Sequence, residues 1–216
     1  MSIALSIGNN LTTGGVFTAD AVNNTSVTNV TDFASVPGGG ALKLLSTQTA
    51  SASATIDFTS GIDSTYDSYV FKFINIHPIT DNGDFEFNFS TDNGSNYNVT
   101  KTSTFFKAEQ YEDGSYSVLT YDGSRDLAQS TGNQFMNNAI GNDSDQSISG
   151  YLKVYNPSSS TFVKHFIGVT NGSGKDNATR NPYIAGYGNT VSPITNIRFS
   201  MDNGNFDGII KMYGVS

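Results

Sequence analysis

The chain of 216 residues carries a formal net charge of −8, from 11 Lys and Arg against 19 Asp and Glu, and contains no Cys. The lack of Cys excludes disulfides, thiolate metal sites and thiol nucleophiles, and it fits a protein made in a reducing cytosol. The basic residues are scattered singly, so the sequence predicts no binding to nucleic acid and none to a membrane surface.

The N-terminal residues 1–40 differ in composition from the rest of the chain. They contain small polar residues with isolated hydrophobes, and they end in VPGGG, a strong breaker of regular structure. We predict that this segment is an arm or anchor with a flexible, Gly-rich joint. The alternative is a pair of irregular edge strands on the main domain. The start of the chain has neither the positive region nor the long apolar run of a secretory signal.

Residues 41–216 are dominated by alternating patterns typical of β-strands. In SYVFKFINI, for example, Tyr69, Phe71 and Phe73 share one face. The other alternating segments are ASATIDF, DFEFNFS, SGYLKVYN, TFVKHFIGV, ITNIRFSM and GIIKMYG. Only residues 121–141 have weak helical character, and no apolar stretch approaches the about 20 residues of a membrane-spanning helix.

These patterns predict an all-β fold with about eight to ten strands, separated by turns rich in Gly, Asn, Asp and Ser. No alternation of strands and helices occurs, so a parallel α/β sheet is not expected. We predict an antiparallel two-sheet sandwich of jelly-roll type for residues 41–216, with residues 1–40 as an extended N-terminal arm.

The tripeptide Asp-Asn-Gly occurs at residues 81–83, 92–94 and 202–204. Asn-Gly readily adopts positive φ at both central positions of a turn, so we predict tight hairpin turns at 92–94 and 202–204 and a longer turn at 81–83. An EF-hand would need Glu at its twelfth position, which holds Ser103 when Asp92 is counted as the first. We therefore predict that these segments are turns and not calcium loops.

No metal site or cofactor is predicted elsewhere. Asp143 and Asp145 form an Asp-x-Asp pair, where we expect at most an adventitious cation and no specific metal site. Neither His77 nor His165 belongs to a zinc-hydrolase motif, and no G-x-S-x-G nucleophile elbow occurs. NGSGKDN at 171–177 lacks the spacing of a P-loop, and we predict a hairpin tip there.

The densest acidic group comprises Glu109, Glu112 and Asp113. A glycosidase needs two carboxylates facing each other across a cleft, whereas neighbours on a loop usually point to water. We therefore predict no catalytic residues and no enzymatic activity. The nearby Tyr111, Tyr116 and Tyr121 allow two interpretations: a sugar-stacking platform, or aromatic packing on the sheet surface or at a subunit interface.

Three segments carry a resemblance to a known class of proteins. They are SASATIDFTSGIDSTYDSYVFKFINIHPITD, GYLKVYNPSSSTFVKHFIG and AGYGNTVSPITNIRFSMDNGNFDGIIKMYGV. Together they resemble structural proteins of tailed bacteriophages, especially marine ones, whose chains typically end in a Gly/Asn-rich hairpin and a terminal IKMYG strand. The resemblance covers about residues 45–215, and residues 1–40 lie outside it.

The resemblance implies a structural virion component, either a head-decorating or knob-like protein or a tail appendage, that acts by assembly and not by catalysis. The alternative function is a receptor- or carbohydrate-binding module on the virion surface. The expected partners are other virion proteins, contacted through the N-terminal arm, and further copies of the chain, with a trimer among the forms considered. A host-surface glycan is a further candidate partner. The expected location is the virion, assembled in the host cytoplasm.

Overall fold

The computed structural model describes residues 42–216, which contain twelve β-strands and no helix. In chain order the strands are β1 Lys43–Ser53, β2 Thr55–Phe58, β3 Ser68–Pro78, β4 Gly83–Ser90, β5 Lys101–Tyr111, β6 Ser117–Tyr121, β7 Gln134–Ile140, β8 Ile148–Tyr155, β9 Lys164–Ser173, β10 Ala178–Gly188, β11 Asn196–Met201 and β12 Phe206–Val215. The predicted all-β class is confirmed. The predicted number of strands was too low, and residues 121–141 form a loop and β7 with no helix.

The strands form two antiparallel sheets that pack as a sandwich. One sheet has eight strands in the order β1-β12-β3-β8-β9-β10-β5-β6, and the other has four in the order β2-β11-β4-β7. The predicted arm, and its alternative of irregular edge strands, concern residues 1–40, which lie outside the described residues.

The strand order confirms the predicted jelly-roll type. The antiparallel pairs β1–β12, β2–β11, β3–β8 and β4–β7 are nested in the sequence, one inside the next. Successive nested pairs alternate between the eight-stranded and the four-stranded sheet. This is the arrangement expected when one long antiparallel hairpin wraps around a common core.

Two inserted hairpins enlarge one of the sheets. The β5–β6 hairpin is inserted between β4 and β7, and the β9–β10 hairpin is inserted between β8 and β11. Both insertions add to the same side of β8, giving the order β8-β9-β10-β5-β6. As a result, the eight-stranded sheet has a broad outer face that the basic jelly roll lacks.

The core between the sheets is mainly aromatic, as the alternating patterns predicted. The inward-facing Phe85, Phe87 and Phe89 of β4 are each at most 1% exposed. Phe73 of the eight-stranded sheet meets Phe85 edge to face, with the ring centroids 5.1 Å apart. Edge-to-face pairs of this kind stabilise a core beyond the burial of their area, so these rings hold the two sheets together.

All three Asp-Asn-Gly segments lie where the chain passes from one sheet to the other. The prediction of hairpins at 92–94 and 202–204 is wrong, because the strands on either side of each turn do not pair with each other. The first turn joins β4 to β5 and the second joins β11 to β12, and in both cases the chain leaves the four-stranded sheet and enters the eight-stranded sheet. The predicted turn conformation is nevertheless present at 92–94, where Asn93 has a φ of 57° and Gly94 a φ of 83°. Positive φ suits Asn and Gly, so these residues form corners between the sheets.

Asp92 acts as a hydrogen-bond acceptor inside its turn. Its Oδ1 accepts from the backbone N–H of Asn96 at 2.9 Å and from the Ser90 hydroxyl at 2.7 Å, while its Oδ2 accepts from the Asn96 amide at 2.7 Å. These hydrogen bonds, that of the Asn96 side chain above all, lower the pKa of the Asp92 carboxyl to about 2. The carboxylate therefore has a structural role in the corner.

Candidate contact surface and polar groove

The outer face of the eight-stranded sheet carries a row of five side chains, four of them exposed aromatics and one, Val169, half-buried. On five neighbouring strands, from β6 to β8, the registered residues are Tyr121, Phe106, Tyr183, Val169 and Tyr151. We call these five residues the aromatic row. Side chains opposite each other on adjacent strands are close enough to contact, so the row is continuous across the sheet.

The aromatic row is accessible to solvent. Phe106, Tyr121, Tyr151 and Tyr183 are between 41% and 54% exposed. The Phe106 and Tyr183 rings stack with their centroids 5.2 Å apart and their planes at 5°. Large aromatic side chains clustered in this way on a monomer surface are typical of sites that contact another molecule.

Three lysines extend the same face beyond the aromatic row. Lys72 of β3 is registered with Tyr151, and Lys211 of β12 is registered with Lys72. Lys153 lies on β8 with its Nζ 4.6 Å from the Tyr155 ring centroid. Within the described part of the chain, none of the three lysines forms an ion pair. This face is therefore positively charged, although the chain as a whole is acidic.

Only one of the three tyrosines considered for a platform belongs to the aromatic row. Tyr121 lies in it, whereas Tyr111 and Tyr116 contact each other edge to face at 5.4 Å beside the β5–β6 turn. The Tyr111 hydroxyl also donates to Asp176 at 3.0 Å. Tyr111 and Tyr116 therefore fit the second interpretation, aromatic packing, and the three tyrosines do not lie together in one row.

The acidic group at the end of β5 is divided. Glu109 is buried and accepts a hydrogen bond from Arg180 at 2.7 Å, whereas Glu112 and Asp113 are exposed in the β5–β6 turn. Arg180 also pairs with Asp176 at 2.5 Å. Glu109 thus belongs to a buried ion-pair network in which Arg180 links it to Asp176.

The remaining predicted positions occur as structural elements. His77 Nδ1 lies 2.6 Å from the Gln146 carbonyl oxygen, and the His165 ring packs edge to face on Tyr187 with centroids 6.2 Å apart. Residues 171–177 include the end of β9 and the turn into β10, as predicted for a hairpin tip.

Asp143 and Asp145 are exposed in the turn before β8. In residues 42–216, no group of three His, Asp or Glu side chains is arranged to hold a metal ion. Over the same residues, no helix is long and apolar enough to cross a membrane.

Comparison of the chain with protein-family models, curated proteins and solved structures finds no match.

The outer face of the four-stranded sheet has a different character, because it is polar and contains a groove. The groove has a volume of about 740 Å³. Its polar lining includes Thr55, Glu86, Asn98, Asn133, Arg198 and Ser200. One wall is the segment 94–98, and another is formed by Met201 and Gly204, so two of the Asp-Asn-Gly corners border the groove.

Glu86 lies at the base of the groove and is only 6% exposed. Its Oε1 accepts hydrogen bonds from the Asn133 amide and from the Ser200 hydroxyl, the latter at 3.1 Å. Burial raises the pKa of the Glu86 carboxyl, and these two hydrogen bonds oppose that shift. Among the described residues, Oε2 has no hydrogen-bond partner, and it is not among the fully enclosed polar atoms.

Arg198 forms part of the wall next to Glu86. Its Nε and Nη2 donate to the two carboxylate oxygens of Asp57, at 2.8 and 2.7 Å. The guanidinium carbon lies 4.0 Å from the centroid of the Tyr97 ring. A bidentate ion pair and an aromatic stack fix the plane of the guanidinium. The ion pair with Asp57 uses Nε and Nη2 and leaves Nη1 out of it.

Sequence reasoning missed both surfaces. The aromatic row depends on the pairing of β8, β9, β10, β5 and β6, which are not consecutive in the chain. The groove depends on Glu86 and Ser200 lying opposite each other on β4 and β11. The available signal was the alternation of polar with aromatic residues in DFEFNFS and ITNIRFSM, which places the polar set together on one outer face.

Proposed function

We propose that the chain is a structural component of a tailed-bacteriophage virion that acts by assembly and not by catalysis. The three segments that resemble phage structural proteins contribute strands to both sheets, including β2, β3, β8, β11 and β12. The resemblance therefore concerns the jelly roll itself and not only one hairpin of it.

The observation that carries the proposal is the aromatic row with its flanking lysines. The row crosses five strands at about 4.8 Å each, so it offers a contact area broad enough for a macromolecule. Small ligands usually bind in concave sites that enclose most of their surface. The unpaired lysines add a requirement for a negatively charged partner. We assign this face to contact with an acidic protein surface on a neighbouring virion subunit.

The other parts of the proposal follow from the same role. The chain is located in the virion after assembly in the host cytoplasm, and it is a homo-oligomer or a repeated decoration of the particle. The N-terminal arm is proposed as an additional attachment to the capsid or tail. A second candidate function, recognition of a host-surface glycan, is favoured by the polar groove on the four-stranded sheet.

Reversing two charges on this face is expected to impair attachment. We expect the double variant Lys72→Glu, Lys153→Glu to join particles lacking the protein at least about tenfold less well than the parent chain, because like charges across an interface repel. The matched control is Lys43→Glu, Lys175→Glu, which makes the same change of net charge at two exposed lysines elsewhere.

The measurement is the number of copies per particle by quantitative mass spectrometry, after purified protein is added to particles that lack it. Thermal unfolding of both double variants serves as the folding control. Equal incorporation of the two would show that this face does not carry the attachment.

A further inference from the structure

We propose that the groove on the four-stranded sheet is a binding site for a neutral saccharide. This inference rests on the second candidate function, glycan recognition, and it requires nothing of the attachment face. The groove and the aromatic row belong to different sheets of the sandwich. The chain therefore has one face available for assembly and a separate site available for a ligand.

The groove has the size of a ligand site and is formed by rigid elements. Its volume of about 740 Å³ falls within the range of about 300–1,000 Å³ typical of small-molecule sites. Glu86 and Ser200 are directly opposite each other on β4 and β11, and Thr55 is opposite Ser200 on β2. The side chains at the base are therefore positioned by paired strands, and the segment 94–98 borders them.

The hydrogen-bonding groups of the groove match a ligand with several hydroxyls. Glu86 Oε2 is a charged acceptor without a protein partner among the described residues, and Arg198 Nη1 is a charged donor that the ion pair with Asp57 does not use. Asn98 is exposed beside them and adds an amide that both donates and accepts. Hydroxyl groups donate and accept equally well, so neighbouring hydroxyls on a sugar ring satisfy both kinds of partner at once.

Other ligand classes fit the groove less well. An anionic ligand would meet the Glu86 carboxylate and the overall charge of −8. A cation would lie next to Arg198, and in residues 42–216 no group of three acidic or His side chains is arranged for a metal ion. An apolar ligand would cover Glu86 Oε2 and Arg198 Nη1 without offering either a hydrogen bond, at a desolvation cost. A neutral polyhydroxyl ligand avoids all three conflicts.

The groups at the base are held in place before any ligand arrives. The Asn133 side chain donates a hydrogen bond to Glu86 and accepts one from the Asn88 amide at 2.9 Å. Asn133 is therefore fixed itself, and it fixes the position of Glu86 Oε1. Asp57 and the Tyr97 ring fix Arg198. Because these side chains are already ordered, little conformational entropy is lost when a ligand binds.

The test is binding of the purified full-length chain to immobilised oligosaccharides. The array contains neutral members built from glucose, galactose, mannose and N-acetylhexosamines, and anionic members that carry uronate, sialate or sulfate groups. Ala54 is exposed at the edge of the groove, so Ala54→Trp is designed to fill it. The matched control is Ala185→Trp, at an exposed position on the outer face of the other sheet.

We expect binding to at least one neutral oligosaccharide. Its affinity is expected to fall at least about tenfold in Ala54→Trp and about tenfold in Glu86→Gln, which removes the charged acceptor, and to stay unchanged in Ala185→Trp. Thermal unfolding identifies any variant that fails to fold, and the groove-filling variant, at an exposed residue, remains informative if Glu86→Gln is unstable.

Three results would overturn the proposal. The first is that the protein binds no neutral oligosaccharide. The second is that it binds a neutral oligosaccharide and that Ala54→Trp leaves this binding unchanged. The third is that it binds only anionic oligosaccharides and loses this binding in the Lys72→Glu, Lys153→Glu variant. The last result would assign glycan binding to the lysine-bearing face. The binding assay uses isolated protein, so a negative result in it does not bear on virion assembly. Likewise, a failure to join particles does not bear on saccharide binding in the groove.

Discussion

Replacing Phe199 by alanine is expected to lower the free energy of unfolding by about 3–5 kcal/mol, the range for a buried phenylalanine in a well-packed core. Phe199 is fully buried on β11. Its ring contacts Phe73 of the eight-stranded sheet at 5.2 Å and Phe85 of its own sheet at 5.9 Å. Further rings within 6.4 Å belong to Phe58, Phe71 and Phe87. The substitution therefore leaves a cavity at the centre of the sandwich.

The matched control is Phe162→Ala, because Phe162 is 67% exposed in the segment between β8 and β9. We expect this change to alter stability by less than about 0.5 kcal/mol. Urea unfolding followed by tyrosine fluorescence measures both variants. A loss below about 1 kcal/mol for Phe199→Ala would contradict the packing of the two sheets through this ring.

Lys101 is expected to make the stability of the fold depend on pH on the alkaline side of neutrality. The side chain is completely buried at the start of β5, and its Nζ donates to Asn88 Oδ1 at 2.5 Å and to the Val99 carbonyl oxygen at 2.7 Å. Burial lowers the pKa of Lys101 to about 7 from its ordinary value of 10.5. In the folded protein the amine thus becomes neutral at a lower pH than in the unfolded chain.

The sign of the effect follows from proton binding. Above about pH 7 the unfolded chain holds a proton on Lys101 that the folded protein has lost, so stability rises with pH up to about pH 10.5. At 1.36 kcal/mol per pKa unit, we expect a rise of about 2 kcal/mol between about pH 7 and about pH 9. Burial also lowers the pKa of Lys164, which adds a contribution of the same sign.

Lys101→Met is expected to remove most of this rise and to make the protein more stable than the parent at about pH 7, because a buried ammonium group is replaced by an apolar side chain. The control is Lys43→Met, at an exposed residue of β1, which should keep the pH dependence of the parent. The measurement is urea unfolding at several pH values. The same slope in the parent and in Lys101→Met would show that Lys101 is solvated in the folded protein.

Several strands of the jelly roll, and β9 of an inserted hairpin, could be predicted because their side chains alternate. β3, β4, β8, β9, β11 and β12 each place large apolar residues on the core side. One irregularity breaks the pattern: Asn75 has a φ of 49°, and the register of β3 with β8 shifts nearby, so Ile76 is buried although the alternation predicted it on the face of Val70. A shift of this kind has no simple sequence signature.

β10 was not among the predicted strands, and Pro182 lies in its middle although proline is normally confined to edge strands. β10 is nevertheless a central strand between β9 and β5. Asn181 compensates: its side-chain amide donates at 2.5 Å to the carbonyl oxygen of Thr170 on β9, where the pairing of β10 with β9 is interrupted between Arg180 and Tyr183. The side chain thus supplies a hydrogen bond that the proline nitrogen cannot make.

The Asp-Asn-Gly corners show that turn residues predict the local backbone conformation but not which strands pair. The Asp-Asn-Gly sequences correctly indicated positive φ at Asn93 and Gly94, because this conformation depends on the residues themselves. Which strands the turn joins depends on the core, since the two flanking strands pair with distant partners. The aromatic row and the groove are missing from a sequence-based view for the same reason: both form only when β-strands far apart in the chain become neighbours.

Location of the chain on intact particles tests most directly the proposal that it is a virion component. The measurement is electron microscopy of phage particles, purified from cells that produce the chain, after labelling with gold-conjugated antibodies raised against the purified protein. We expect label at a repeated position on the head or at a defined position on the tail, and none on particles that lack the protein. Unlabelled particles, with the protein recovered only free in the lysate, would contradict a structural role in the virion.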